Sequence, residues 1–170
     1  MQRRILSLAL EAMLAILALS APVMAQPGRG NGPGRDPAFA ADRDLFQSLL
    51  VHRADIRREV KKTDQGVETL TESDKPEVAA AIQEHVASME KRVKDKKPIH
   101  LRDPLFAEVF RQADMITFVS EKTVKGVRVT ETSNDPYVVK LIQVHVAVVT
   151  LFINNGFDEV RRNHDLPAKP

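Results

Sequence analysis

His85 and His145 are the residues of this chain best placed to do chemistry, because they occupy the same position in a repeated pentapeptide, IQEHV at 82–86 and IQVHV at 142–146. A neutral imidazole is a good ligand for metals and haem iron. Two of them, presented from matching positions about a pseudo-twofold axis, could grip one transition-metal ion or supply both axial ligands to a non-covalently held haem. Met89 lies one helical turn beyond His85 and adds a soft thioether suited to Cu(I). Its counterpart is Val149, so a symmetric His/Met set is excluded. The competing reading is packing: each ring is a core residue whose nitrogens are satisfied by carbonyls, hydroxyls, carboxylates or water, and Met89 fills space.

At about 100° per residue, the helix carrying His145 gathers Val138, Leu141, Ile142, Val148, Val149 and Phe152 around the histidine. Lys140, Gln143, Ala147, Thr150 and Asn154 take the opposite side. The same wheel about His85 collects Val78, Ala81, Ile82, Ser88, Met89 and Arg92. Both rings therefore point inward, where an apolar setting disfavours the imidazolium and leaves them neutral. His52, His100 and His164 have no histidine at the matching repeat position and read as surface residues, with His164 able to reach back from the tail as a third ligand.

What positions the two rings is an internal repeat. Sliding the chain by sixty residues aligns 45–93 with 105–153 without a gap, and fifteen of the 49 pairs are identical, among them Phe46/Phe106, Gly66/Gly126, Pro76/Pro136 and Gln83/Gln143. In the second copy Asp103-Pro104 opens a helix over LFAEVFRQA. The β-branched runs ITFVS and VRVTET then flank EKTVKG, with Gly126 taking positive φ in the turn, and Asn134-Asp135-Pro136 starts a long helix that Asn155-Gly156 closes. The first copy repeats the plan: a helix from about Asp42, strands near IRREVK and VETLTE, and a second helix beginning at Ser73 to Pro76 with Asp74 and Glu77 at capping-box spacing. FDEVRRNH continues as a short extra helix. A lone hairpin is marginal, whereas two units can share one sheet. The expected fold is α+β: a duplicated helix-strand-strand-helix unit forming a four-stranded antiparallel sheet covered by helices, pseudo-twofold symmetric. Its two repeats lie at about 43–97 and 103–157 within a single domain at 41–165.

Residues 1–25 have the layout of a secretory signal: Arg3 and Arg4, then an apolar stretch interrupted by Glu11, then Val23-Met24-Ala25 as a cleavage site. Gly- and Pro-rich residues 26–40 form a flexible linker. The expected protein is periplasmic or extracellular, with no transmembrane span in its mature form. A net charge of only +2 argues against nucleic acid, and the absence of cysteine removes disulfides, covalent haem attachment and thiolate metal sites. The cations of KRVKDKK at 91–97 read as a solvated helix end. No nucleophile elbow, zinc-protease helix or phosphate-binding loop occurs, so the expectation is a non-enzymatic binding or interaction module for a small ligand or protein partner.

The run GVRVTETSNDPYVVKLIQVH, DPLFAEVFRQAD before it, and the weaker echo GVETLTESDKPEVAAAIQEH resemble small uncharacterised secreted bacterial proteins over about residues 44–164. The resemblance implies export and carries no functional residue with it.

Overall fold

The computed structural model describes residues 36–169; the expected signal segment and the linker up to residue 35 lie outside the described residues. Three helices begin at an Asp-Pro step, because the aspartate accepts from the first free amides while proline lacks the N–H that would be left unpaired. Asp36 opens α1 (Pro37–Val51) and accepts from Ala38 N. Asp103 opens α3 (Pro104–Arg111) and accepts from Leu105 N, and Asp135 opens α4 (Pro136–Asn155), accepting from both Tyr137 N and Val138 N. Gly156, at φ 63°, ends α4 in a conformation that suits glycine, and α5 (Phe157–Val160) follows.

Two expectations are corrected at helix starts. Residues 37–40 belong to the first turn of α1 rather than to a linker, so the fold begins before residue 41. In α2 (Pro76–Lys94) the N-cap is Lys75, which makes no side-chain cap. Asp74 instead faces the hairpins, where it pairs with Arg57 and with Lys125 at 2.8 Å.

The strands β1 (Ile56–Thr63), β2 (Gly66–Ser73), β3 (Thr117–Lys122) and β4 (Gly126–Thr132) form one antiparallel sheet in the order β1-β2-β4-β3. The α+β architecture read from the sequence is the one observed. At the middle of the β2/β4 ladder Thr69 faces Val129, its counterpart sixty residues on. Gly66 and Gly126 sit at the two ends of this ladder. A Cβ on Gly66 would lie 1.9 Å from the Glu131 carbonyl oxygen, and one on Gly126 would lie 2.0 Å from that of Thr71. Close backbone approach, not positive φ, is therefore what requires Gly126, a correction to the turn argument.

Each long helix is tied to the other half's hairpin. Gln83 Nε2 donates to the carbonyls of Thr123 (2.9 Å) and Gly126 (3.2 Å) on the second hairpin. Gln143 Nε2 donates to those of Thr63 (3.1 Å) and Gly66 (3.3 Å) on the first. The glutamine of the pentapeptide thus satisfies turn carbonyls that would otherwise be exposed under a helix. Val78, Ile82, Val127 and Val129 form one apolar cluster, and Val67, Leu105, Val138, Leu141, Ile142, Val146 and Phe152 the larger one. By length and mean hydropathy α4 would pass as a bilayer span, yet here its apolar stripe is the core: Leu141 and Ile142 are fully buried.

Candidate functional site

His85 and His145 turn inward, as their helical faces dictate, and each packs on the phenylalanine that occupies the same repeat position. The His85 ring stacks on Phe46 with centroids 5.8 Å apart, and the His145 ring meets Phe106 edge-on at 5.0 Å. Phe46 and Phe106 both touch Phe152, at 5.9 and 5.5 Å. The contacts that join the two histidines therefore run through three phenylalanine rings. Both imidazoles lie deep among protein atoms while keeping part of their surface accessible. The Nδ1 atom of each is buried with no hydrogen-bond partner. Burial pushes the pKa of each ring down to about 4, so both are neutral at pH 7.

Met89 is half-buried one turn after His85, and Val149 occupies its place in the other half. Among the described residues no group of three or more His, Cys, Asp or Glu side chains is arranged to hold a metal ion. Any ion at His85 and His145 would have to complete its coordination with other donors.

Beneath the helices the inner sheet face contributes two charged groups absent from the expected site. Arg58 donates from Nη1 to Thr71 Oγ1, and its Nε is buried without a partner. Burial lowers its pKa to about 10, a loss that the field of Glu131 partly opposes. Glu131 is buried on β4, and desolvation raises its carboxyl to about 7 despite the field of Arg58. Arg58 also acts on His145, reinforcing the neutral ring. Strand alternation is the signal that places these residues: Ile56 and Arg58 share one face of β1, and Val127, Val129 and Glu131 share one face of β4.

A second polar cluster closes one side. Asp103, fully buried, caps α3, accepts from His164 N (3.1 Å) and pairs with His164 Nδ1 at 2.6 Å. His164 Nε2 lies 3.1 Å from Glu159 Oε1. Burial opposes the charge on His164, but the hydrogen bonds its ring donates to the Asp103 and Glu159 carboxylates prevail and raise its pKa. His164 is therefore not a surface residue or a free third ligand; both its nitrogens are engaged. His100 is also partly buried, edge-on to Phe106 at 4.9 Å, with Nε2 lacking a partner and with φ at 56°, a left-handed conformation costly for a non-glycine residue. His52 does lie at the surface, its side chain 44% exposed.

Arg92 departs from the solvated-end expectation for residues 91–97. It is 4% exposed, pairs with Asp42, and reaches Asp36 at 3.0 Å and the Lys97 carbonyl at 3.2 Å. Asp42 also accepts from Ser88. This network pins α1 to the end of α2, where the corresponding residue of α4 is Phe152.

No known protein family, curated protein or solved structure matches the chain.

Proposed function

We propose that the protein is an exported, non-enzymatic binding module whose ligand is met by His85 and His145. In this reading the chain is a duplicated unit with pseudo-twofold symmetry, and the equivalent Phe/His pairs line one central site. The observation that carries it is the pair of unpartnered Nδ1 atoms at equivalent positions. Buried polar atoms in folded proteins are nearly always satisfied, and leaving one unpaired costs roughly 1–3 kcal/mol. A ligand that meets the rings would recover that cost. Among the described residues no hydroxyl or carboxylate hydrogen-bonds to either imidazole in the pairing a nucleophile and base require, which supports binding over turnover. A ligand screen read by the His85 and His145 ring signals in NMR tests the proposal. Reproducible turnover lost on a single substitution at either histidine would overturn the non-enzymatic part.

A second reading places a transition-metal ion or a non-covalent haem on His85 and His145, with Met89 available on one side. It is favoured by the rings' neutrality, since only the unprotonated imidazole ligates. Elemental analysis and a Soret-band scan of protein from its native compartment test it: a bare, colourless protein that takes up neither metal nor haem rejects it.

A further inference from the structure

The segment that follows α5, residues 161–169, is tied to the fold mainly by side chains. Its last bond between backbone groups, from Arg162 N to the Glu159 carbonyl at 2.9 Å, comes at its start. Arg102 holds the entry to the segment, donating from Nη2 to the carbonyls of Val160 (3.3 Å) and Arg161 (2.9 Å). Beyond that point the polar ties among the described residues are those of His164 and the Lys169 ammonium, which lies 5.5 Å from the centre of the Tyr137 ring. The His164 ring, 12% exposed, sits between two acids buried more deeply still, Asp103 at 0% and Glu159 at 4%. Nδ1 lies 2.6 Å from Asp103 Oδ2 and Nε2 lies 3.1 Å from Glu159 Oε1. A neutral imidazole has one N–H, so it donates to one carboxylate and turns a lone pair on the other. Only the imidazolium serves both.

We propose that residues 161–169 form a pH-operated strap: protonated His164 closes it onto Asp103 and Glu159, and loss of that proton frees it and uncovers Phe152. The Phe152 and His164 ring centroids are 6.1 Å apart in the closed state. No other charge facing the ring replaces the proton. From the loop before α3, His100 Nε2 stands 3.9 Å from Asp103 Oδ2, but burial lowers the pKa of His100 and keeps it neutral. Arg102 is spent on backbone carbonyls, and Arg162 (3.5 Å) and Asn155 (2.6 Å) both reach the other Glu159 oxygen, Oε2. Once the ring is neutral, the buried Asp103 carboxylate loses its cationic partner, and an undocked tail lets water take that place. The raised pKa of His164 sets the sign: the strap is shut below the folded value and opens as pH rises through it. The strap stands on the contacts of the tail and does not depend on a ligand at His85 and His145.

The test is trypsin cleavage of the Arg162–Asn163 bond in the full chain, followed by mass spectrometry from pH 6 to pH 9, beside an NMR titration of the His164 ring. Cleavage tracks the open population. His164→Ala has lost the clasp and supplies the open reference. Glu159→Gln, whose amide can donate to the neutral ring, supplies the closed one, and the two cancel the protease's own pH dependence. At pH 6 the wild type should be cut roughly tenfold more slowly than His164→Ala, and at pH 9 as fast, with the midpoint at the pKa of the His164 ring. Glu159→Gln should stay resistant across the range. Should either variant fail to fold, wild type against the other, matched to the ring titration, still decides. Wild-type cleavage in constant ratio to the references, a midpoint displaced from the ring titration, or a Glu159→Gln strap that opens in step with wild type would each overturn the proposal.

Discussion

Acidification should unfold this protein in part through His85 and His145, and the size of the effect follows from their burial. In the unfolded chain each imidazole titrates near 6.5, whereas in the fold each is pushed down to about 4. A depressed pKa means that the unfolded state takes up the proton first. The contribution is thus fully present above pH 6.5 and is lost as pH falls from 6.5 toward 4. Between pH 7 and pH 5 the linkage is about 2 kcal/mol per ring, or about 4 kcal/mol for both, at 1.4 kcal/mol per pKa unit. Glu131 works in the opposite direction, since its raised pKa gives a contribution present at low pH and lost as pH rises toward 7. Comparison with variants cancels that background. Urea unfolding of wild type, His85→Gln and His145→Gln at pH 7 and pH 5 should show each variant's pH 7-to-5 loss reduced by about 2 kcal/mol relative to wild type, whatever the variant's absolute stability. Identical pH dependence in wild type and both variants would refute the argument, because it would mean that the rings are solvated or paired in the fold.

His145→Leu should be at least as stable as the unliganded wild type at pH 7, by up to about 1 kcal/mol, since it removes a buried nitrogen without stranding a partner; thermal melts check this, and a clear loss of stability would show that the ring is a satisfied core residue. Gln83→Ala and Gln143→Ala should each cost about 1–3 kcal/mol by releasing two turn carbonyls, with similar losses in denaturant titrations. The raised pKa of His164 makes its pairs with Asp103 and Glu159 a contribution present below pH 6.5 and lost as pH rises through the folded value, so His164→Gln should remove part of the stability loss seen as pH rises above 6.5 in the same titrations.

Much of this architecture was legible because the repeat wrote it twice. β-branched runs, the glycines at 66 and 126, the prolines at 76 and 136 and the IQ-H helices recur sixty residues apart, and each copy disambiguates the other. The start of α1 was missed although Asp36-Pro37 carries the signal that located Asp103-Pro104, since the glycines and prolines just before it mask the helix as linker. The Asp74/Glu77 spacing misled because Asp74 has stronger partners in Arg57 and Lys125 than the free amides of α2. The inward histidines followed from helical periodicity alone. What the sequence did not reveal is the buried charge on the covered sheet face, Arg58 and Glu131. Strand alternation puts Arg58 and Glu131 on the covered face, but charged residues in strands usually face water, and only the packing of α4 over β2 and β1 encloses them. Nor does periodicity show a missing hydrogen bond: the unpartnered Nδ1 atoms depend on what Phe46 and Phe106 exclude from the rings. Arg92, by contrast, was on the inward wheel of α2, and the basic run around it obscured its buried pairing with Asp42.

The central claim is that His85 and His145 border one ligand site, and long-range 1H–15N NMR of the histidine rings tests it most directly. The protein would be titrated with Zn2+, Cu(I), haem and a panel of small organic ligands, with the exposed His52 ring as the internal control. The account predicts that at least one of these moves the His85 and His145 signals together at saturating concentration and leaves His52 in place. Ring signals of His85 and His145 that stay fixed across the whole panel, or that shift only in step with His52, would contradict it.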